Sequence, residues 1–231
     1  SVCLPVATLY THTPVEMPVH VINGRRSGPR LFVTAAIHGD ELNGVPIIRH
    51  VLDRINPKEL TGTVLAVPAV NVFGLVQESR YLPDRRDLNR SFPGSPTGSL
   101  AARIANLFMT EIVSRADVGI DLHTGSDHRT NLPQVRADLD DPRTRALAEA
   151  FGAPVMLHAR SRSGSLRDAA ARRPEVVRYL LAKRPKRPPT DPDGYIVVGG
   201  KDEAWIYREG MRPAWQATPE ALAFLKSLPK S

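Results

Sequence analysis

An apolar run near the N-terminus ends abruptly in residue types that bind metal ions. The run occupies residues 31–37, and His38-Gly39-Asp40-Glu41 follows it directly. At the end of a strand Gly39 permits a tight turn, so His38 and Glu41 can face one point. An imidazole and a carboxylate at this spacing form half of a zinc site. The alternative is that His38 is a hydrogen-bonded loop residue, the commoner role of a histidine at a strand end.

A second apolar run, at residues 116–125, also ends in a histidine followed by a glycine turn, and it contains Asp121-Leu122-His123. The carboxyl ends of parallel strands converge on one crevice, so His123 can join His38 and Glu41 there. Two histidines and a glutamate leave a fourth zinc position open, which is the catalytic arrangement. Asp121 faces the same side of the strand as His123 and can orient it through a hydrogen bond. A helix cap or a loop hydrogen bond is the alternative role of Asp121.

The irregular segment 77–98 contains residue types that can hold a substrate. It includes Arg80 and, further along, the pair Asn89-Arg90. The planar guanidinium of arginine suits bidentate recognition of a carboxylate, and asparagine adds a neutral donor and acceptor. Long loops without their own periodicity in a compact domain are usually functional or disordered. We interpret Arg85 and Arg86 as surface charge.

The elements around these motifs alternate between strands and helices, which predicts a layered α/β domain with a largely parallel sheet. Residues 24–30 are predicted to form a turn, and residues 165–173 a helix that Ser165 caps. The predicted strands are 17–23, 31–37, 62–70, 116–125, 154–158 and 195–198, and the other predicted helices are 47–55, 100–114, 141–151 and 219–228.

The composition is typical of an ordinary globular protein, with 231 residues of which 42% are hydrophobic and 24% are charged. No apolar stretch approaches the length of a membrane span. The single cysteine excludes an internal disulfide, so we expect a reducing, cytoplasmic location and nitrogen and oxygen metal ligands. We interpret the net charge of +7 as an arginine-rich surface, with an anionic partner as the alternative. Whether the chain forms a homo-oligomer stays open.

Three motifs together resemble one known family. His38-Gly39-Asp40-Glu41, Asp87-Leu88-Asn89-Arg90 and Asp121-Leu122-His123-Thr124-Gly125, in this order, are similar to the succinylglutamate desuccinylase/aspartoacylase family over residues 31–173. The resemblance implies a zinc-carboxypeptidase-like, M14-type fold, which is a three-layer α/β/α domain with a mixed, largely parallel sheet.

The same resemblance implies roles for individual residues. His38, Glu41 and His123 would bind one zinc ion per chain. Asn89 and Arg90 would hold a substrate carboxylate, and Arg80 would polarise the scissile carbonyl.

The segment after residue 173 departs from the family pattern. The family has a general-base glutamate in a Glu-x-Gly or Glu-Gly-Gly turn soon after the helix predicted at 165–173, and that pattern is absent here. Glu203 is the candidate base, with Glu175 and Glu209 as weaker rivals. We therefore predict a zinc-hydrolase-like domain at residues 1–173 and an atypical segment, 174–231, that completes the same domain.

Three functional hypotheses follow. The first is a zinc-dependent amidohydrolase, a deacylase that cleaves the amide of a small N-acylated amino acid or related amine. The second is a relative that binds zinc or a carboxylate but lacks the base. The third and least favoured is a nucleic-acid-binding protein that uses the basic segment 160–187, where no aromatic residue accompanies the basic ones before Tyr179.

Overall fold

A computed structural model of the chain describes residues 1–126, 129 and 131–172, together with the backbone of residues 196–199. These residues form one eight-stranded sheet. Its strands are β1 (Val2–Thr8), β2 (Pro14–Asn23), β3 (Arg26–Ala35), β4 (Thr61–Val67), β5 (Val118–His123), β6 (Gln134–Ala137), β7 (Val155–His158) and β8 (Ile196–Gly199). They lie in the order β1-β2-β4-β3-β5-β8-β6-β7.

The sheet is mixed and parallel at its centre. The strand β3 runs parallel to both of its neighbours, β4 and β5, and β5 runs parallel to β8. The strands β6 and β7 also pair in parallel. Antiparallel pairing joins β1 to β2, β2 to β4 and β6 to β8.

Five α-helices lie in the described ranges: α1 (Gly44–Arg54), α2 (Val72–Gln77), α3 (Leu100–Glu111), α4 (Pro142–Phe151) and α5 (Leu166–Ala171). The side chains of Ser99, Asp141 and Ser165 cap α3, α4 and α5 by accepting a hydrogen bond from a backbone N–H three residues later. None of the described helices has the length and apolar character that crossing a membrane requires.

Alternate residues of β3 supply two separate cores. On one face Phe32 packs edge-to-face against Phe108 of α3, in a cluster that also includes Leu166 of α5. On the other face Leu31, Val33 and Ala35 join a cluster with helices α1 and α4. The helices therefore cover both faces of the sheet, which confirms the predicted three-layer α/β/α architecture.

The order of the strand connections determines which edge of the sheet holds the site. From β3 the chain passes through α1 to β4, and from β4 it passes through α3 to β5 on the other side of β3. Because α1 and α3 cover opposite faces, a crevice opens where the carboxyl ends of β3 and β5 meet. His38 follows one of these ends, and His123 forms the other.

Most predicted elements agree with the structure, and the differences have local causes. The predicted turn at residues 24–30 is wrong, because β3 already begins at Arg26. There the strand pairing is irregular, with Arg26 opposite Thr61 and Arg30 opposite Thr63, so a Gly- and Pro-containing segment joins the strand. The helix predicted at 47–55 begins earlier, at Gly44.

Three elements were not predicted. The strand β1 is an edge strand that contains Pro5 and shows no clear apolar alternation. The strand β6 has only two apolar residues among its four, and the six-residue helix α2 contains a glycine and β-branched residues, which disfavour a helix. In α2 the buried Asn71 provides the N-cap, because its side chain accepts a hydrogen bond from the Gly74 N–H.

Several predictions concern residues outside the described ranges. These are the helix at 219–228, most of the basic segment 160–187, and the glutamates Glu175, Glu203 and Glu209. The strand β8 comes from the C-terminal segment, and its backbone pairs with β5 and β6. The division into residues 1–173 and 174–231 stays a prediction.

The close approach of α1 to the sheet yields a test of this packing. A Cβ atom added at Gly44 would lie 2.5 Å from the Ala35 Cβ and 3.0 Å from the Leu122 Cβ. Alanine ordinarily favours a helix over glycine by up to about 1 kcal/mol. Overpacking typically costs about 1–3 kcal/mol. We therefore expect Gly44→Ala to lower the free energy of unfolding in urea, whereas Arg49→Ala on the exposed face of α1 leaves it nearly unchanged. A more stable Gly44→Ala protein would contradict the packing.

Candidate metal centre

The structure brings the three predicted metal ligands together. One ligand atom each from His38, Glu41 and His123 lies within 4.8 Å of the other two. The His38 Nδ1 is 2.8 Å from Glu41 Oε1, and the His123 Nδ1 is 2.7 Å from Glu41 Oε2. The carboxylate thus lies between two imidazole rings whose centroids are 5.1 Å apart. Glu41 and His38 are buried, and His123 is nearly so.

The backbone turns sharply at the end of β3, and this turn carries the candidate ligands His38 and Glu41. Ala36 has a positive φ of 48°, and its carbonyl oxygen accepts a hydrogen bond from the Asn71 N–H. The chain then passes so close to α2 that a Cβ at Gly39 would lie 1.9 Å from the Gly74 carbonyl carbon. The Glu41 N–H donates to the His38 carbonyl oxygen, which closes the turn. Glycine at position 39 is therefore a steric requirement.

A second carboxylate contacts the Nε2 atom of each histidine, on the side of the ring away from Glu41. The His123 Nε2 lies 2.8 Å from Asp121 Oδ2, and the His38 Nε2 lies 3.1 Å from Asp87 Oδ1. An aspartate oxygen accepts from Nε2 whether the ring is singly or doubly protonated, so the proton that a bound cation would displace is the one on Nδ1. The orienting role predicted for Asp121 thus corresponds to a hydrogen bond in the structure, and Asp87 does the same for His38.

These backing contacts make the triad suitable for a cation. When each ring is neutral with its proton on Nε2, the Nδ1 lone pairs of His38 and His123 point towards the oxygens of Glu41. A nitrogen lone pair and a carboxylate oxygen at these distances need a positive charge between them, which a proton supplies in the metal-free site and a metal ion can supply in its place. Two imidazole nitrogens and a carboxylate, backed by further carboxylates, form a donor set that zinc accepts.

The charges around the triad shift two pKa values in opposite directions. Burial by itself raises the pKa of Glu41, but the charges and hydrogen bonds of His123 and His38 hold it well below its ordinary value of 4.5. Burial likewise lowers the pKa of His123, but Asp121 and Glu41 raise it well above its ordinary value of 6.5. The site therefore favours positive charge next to an ionised Glu41.

Arg80, predicted as a catalytic group, lies beside the triad. Its Nη2 donates to Asp87 Oδ2 at 2.9 Å, and its Nη1 donates to the Ser126 Oγ at 2.8 Å. The same Nη1 is 3.3 Å from His38 Nδ1 and 3.5 Å from Glu41 Oε1. About a quarter of the Arg80 side chain, 27%, is exposed. A permanent positive charge is thus present at the edge of the ligand set.

The two predicted substrate residues lie in a one-turn 3₁₀ helix, Leu88–Arg90, which Asp87 caps. The Asn89 Oδ1 accepts a hydrogen bond from the Leu166 N–H at the start of α5, at 2.9 Å. The amide nitrogen of Asn89 is consequently the part suited to a substrate carboxylate. Arg90 is exposed, and its guanidinium donates to the carbonyl oxygen of Asn89. Their role in binding a carboxylate stays a prediction.

Sequence reasoning missed two residues of the site. Asp87 belongs to a motif already singled out, but its bond to His38 crosses 49 positions of sequence. Ser126 follows the His123 turn, and its hydroxyl lies 2.8 Å from Glu41 Oε1. A carboxylate beside the Asn-Arg pair was a usable signal for Asp87. A serine in a polar loop has no such signal.

A second group of metal-ligand side chains, Asp138, Asp140 and His158, lies at the surface. The His158 Nδ1 accepts a hydrogen bond from the Leu139 N–H at 3.2 Å. This places the proton of a neutral ring on Nε2, the atom that faces Asp140. That arrangement opposes metal binding, in contrast to the buried triad.

Comparisons with known proteins agree with the geometry of the buried triad. The family model described as the succinylglutamate desuccinylase/aspartoacylase catalytic domain matches residues 27–177. The chain belongs to the succinylglutamate desuccinylase/aspartoacylase family. The resemblance inferred from the three motifs is therefore confirmed, and so is the zinc-carboxypeptidase-like fold.

Named relatives describe the kinds of reaction found in this family. The N-alpha-acetyl-L-2,4-diaminobutyric acid deacetylase of Halomonas elongata is 38% identical over 149 residues, which are 62% of this chain and 43% of that protein. Among solved structures, a succinylglutamate desuccinylase/aspartoacylase from Rhodobacter sphaeroides matches with a TM-score of 0.74 and 25% identity. The product-bound ectoine utilization protein EutE (DoeB) of Ruegeria pomeroyi matches with a TM-score of 0.69 and 25% identity.

These matches cover most of this chain but only part of the relatives. The two structures are matched over 97% and 96% of this chain, yet over 63% of their own lengths. The murein-tripeptide amidase of Escherichia coli O157 is covered over 93% of its length, with a TM-score of 0.60. At 14% identity that likeness concerns the fold alone.

The lowered carboxylate pKa values predict acid sensitivity. The pKa of Asp87 is also well below its ordinary 3.8, because hydrogen bonds and charges from His38 and Arg80 outweigh burial. The stabilisation from Glu41 and Asp87 is thus present above about pH 4.5 and lost as the pH falls, since the unfolded chain then binds more protons. In chelator-treated protein we expect the free energy of unfolding in urea to fall between about pH 5 and 3. In Asp87→Asn the free energy of unfolding should fall less steeply over the same range. The same dependence of unfolding free energy on pH in wild type and Asp87→Asn would contradict the lowered pKa of Asp87.

Proposed function

We propose that this chain is a zinc-dependent amidohydrolase, a deacylase that cleaves the amide of a small N-acylated amino acid or related amine. The observation that carries the proposal is the convergence of His38, Glu41 and His123, with Arg80 at the edge of the same cluster. Family membership supports the reaction class, since named relatives include a deacetylase and a desuccinylase.

Zinc is the cation that the donor set favours. His38, Glu41 and His123 would hold one ion, and two histidines with one glutamate leave a position for water. When bound, zinc supplies Lewis acidity and an acidified water molecule. Asp87 and Asp121 keep the two rings oriented with their Nδ1 atoms towards the centre.

The remaining residues would bind the substrate and stabilise charge. Arg80 would offer its guanidinium to the amide carbonyl oxygen, on which negative charge develops during hydrolysis. Asn89 and Arg90 would hold a carboxylate of the substrate, Asn89 through its amide nitrogen. A small N-acylated amino acid carries both groups, an amide to cleave and a carboxylate to bind.

A general base must take the proton of the attacking water and pass it to the leaving amine. We propose Glu203 for this role, with Glu175 as the weaker candidate. If neither serves, the second hypothesis applies, in which the chain binds zinc or a carboxylate without turnover.

Zinc retention tests the ligand assignment. Purified wild-type protein is expected to hold one zinc per chain by elemental analysis, and His123→Ala is expected to lose it because two ligands remain. His158→Ala is the matched control, since it removes an exposed histidine beside two aspartates and is expected to retain zinc. A His123→Ala protein that keeps stoichiometric zinc would overturn the assignment.

Amine release tests the reaction. The zinc-loaded chain is assayed with a panel of N-acetyl and N-succinyl amino acids, and we expect release of a free amine that a chelator abolishes and added zinc restores. Glu203→Gln should lower kcat by about 10²–10⁴-fold with zinc retained, the usual contribution of a general base. If the fully zinc-loaded wild-type chain releases no amine from any member, the second hypothesis is favoured.

A further inference from the structure

The hydroxyl of Ser126 occupies a distinctive place between two charged groups. It donates to Glu41 Oε1 at 2.8 Å and accepts from Arg80 Nη1 at 2.8 Å. Those two charged atoms are themselves 3.5 Å apart. The serine oxygen therefore bridges a carboxylate and a guanidinium that come close without a short contact of their own.

The three residues reach this point from separate parts of the fold. Glu41 follows β3, Ser126 follows β5, and Arg80 belongs to the irregular segment before α3. Arg80 is anchored on its other side by Asp87, at 2.9 Å from Nη2. The two shortest hydrogen bonds of its guanidinium are thus those to Asp87 and Ser126, and a longer contact of 3.3 Å joins Nη1 to His38 Nδ1.

Removing the Ser126 hydroxyl would let the Arg80 guanidinium move towards Glu41. Arginine is a permanent cation, and a direct charge-assisted bond to a carboxylate is shorter and stronger than the present 3.5 Å separation. Without Ser126 as an alternative acceptor, Nη1 would move onto Glu41 Oε1. A guanidinium bound there competes with a metal ion for the same lone pairs.

We infer that Ser126 is a positioning residue that keeps Arg80 beside Glu41 without letting it occupy the metal-binding oxygen. The inference rests on the proposed function, because it takes Glu41 as a zinc ligand. It predicts that Ser126 acts on zinc affinity mainly through Arg80, so that most of its effect is lost when Arg80 is absent and only the small contribution of its own hydrogen bond to Glu41 is left.

A double-mutant cycle on zinc affinity tests the inference. The Zn²⁺ dissociation constant is measured by competition with a chromophoric chelator for wild type, Ser126→Ala, Arg80→Gln and the double variant. We expect Ser126→Ala to weaken binding about 10-fold, at the lower end of what loss of an outer-shell contact causes. In the Arg80→Gln background the same change should alter affinity less than about 2-fold, because two coupled residues give non-additive effects in such a cycle.

Two further variants distinguish loss of the Ser126 hydroxyl from a non-specific effect of substitution on the protein. Ser126→Thr retains a hydroxyl and is expected to keep affinity within about 3-fold of wild type, because its oxygen can make the same two bonds. Ser27→Ala removes an exposed serine at the opposite end of β3 and is expected to change nothing.

The outcomes distinguish this inference from the proposed function. An unchanged affinity in Ser126→Ala, or an equal loss with and without Arg80, overturns the role of Ser126 while wild-type zinc binding stands. A wild-type chain that binds no zinc contradicts the proposed function itself. A zinc-binding chain that follows the cycle but releases no amine supports the Ser126 role and rejects only the hydrolase.

Discussion

The burial of one carboxylate between two imidazoles is the constraint on which this site depends. A buried ionised group is costly unless opposite charge and hydrogen bonds compensate it. Glu41 receives both, from His38 and His123 on either side and from the Ser126 hydroxyl and the Thr124 N–H. Each of these partners compensates part of the charge, which the surrounding apolar strands cannot solvate.

Groups of alternating charge continue outwards from Glu41. Each imidazole beside Glu41 contacts a further carboxylate, Asp87 or Asp121, and Asp87 in turn binds the guanidinium of Arg80. One network therefore fixes the geometry of the three candidate metal ligands and the placement of the group proposed to stabilise the oxyanion. The network joins residues from three separate connections, those that follow β3, β4 and β5.

The fold supports this network because the sheet holds the ends of its strands, and the residues at those ends, in fixed positions. His123 lies at the end of a parallel strand, and His38 follows the end of its neighbour, where α1 and α3 diverge to opposite faces. Close packing at Gly39 removes the freedom of the turn that carries His38 and Glu41. In the irregular segment 77–98, Asn89 is fixed by a hydrogen bond from the backbone N–H of Leu166 at the start of α5.

The sequence by itself determined the central strands, the main helices and the identity of the three ligand candidates, because buried strands and amphipathic helices leave a periodic signal. It also placed His38 and His123 at strand ends. Only the tertiary structure decided that Asp87 backs His38 and that Ser126 bridges Glu41 and Arg80. Those contacts join residues 49 and 85 positions apart, and a hydrogen bond between distant loops leaves no local pattern. The elements β6 and α2 were likewise decided by packing, since β6 has only two apolar residues and α2 contains a glycine and β-branched residues, which disfavour a helix.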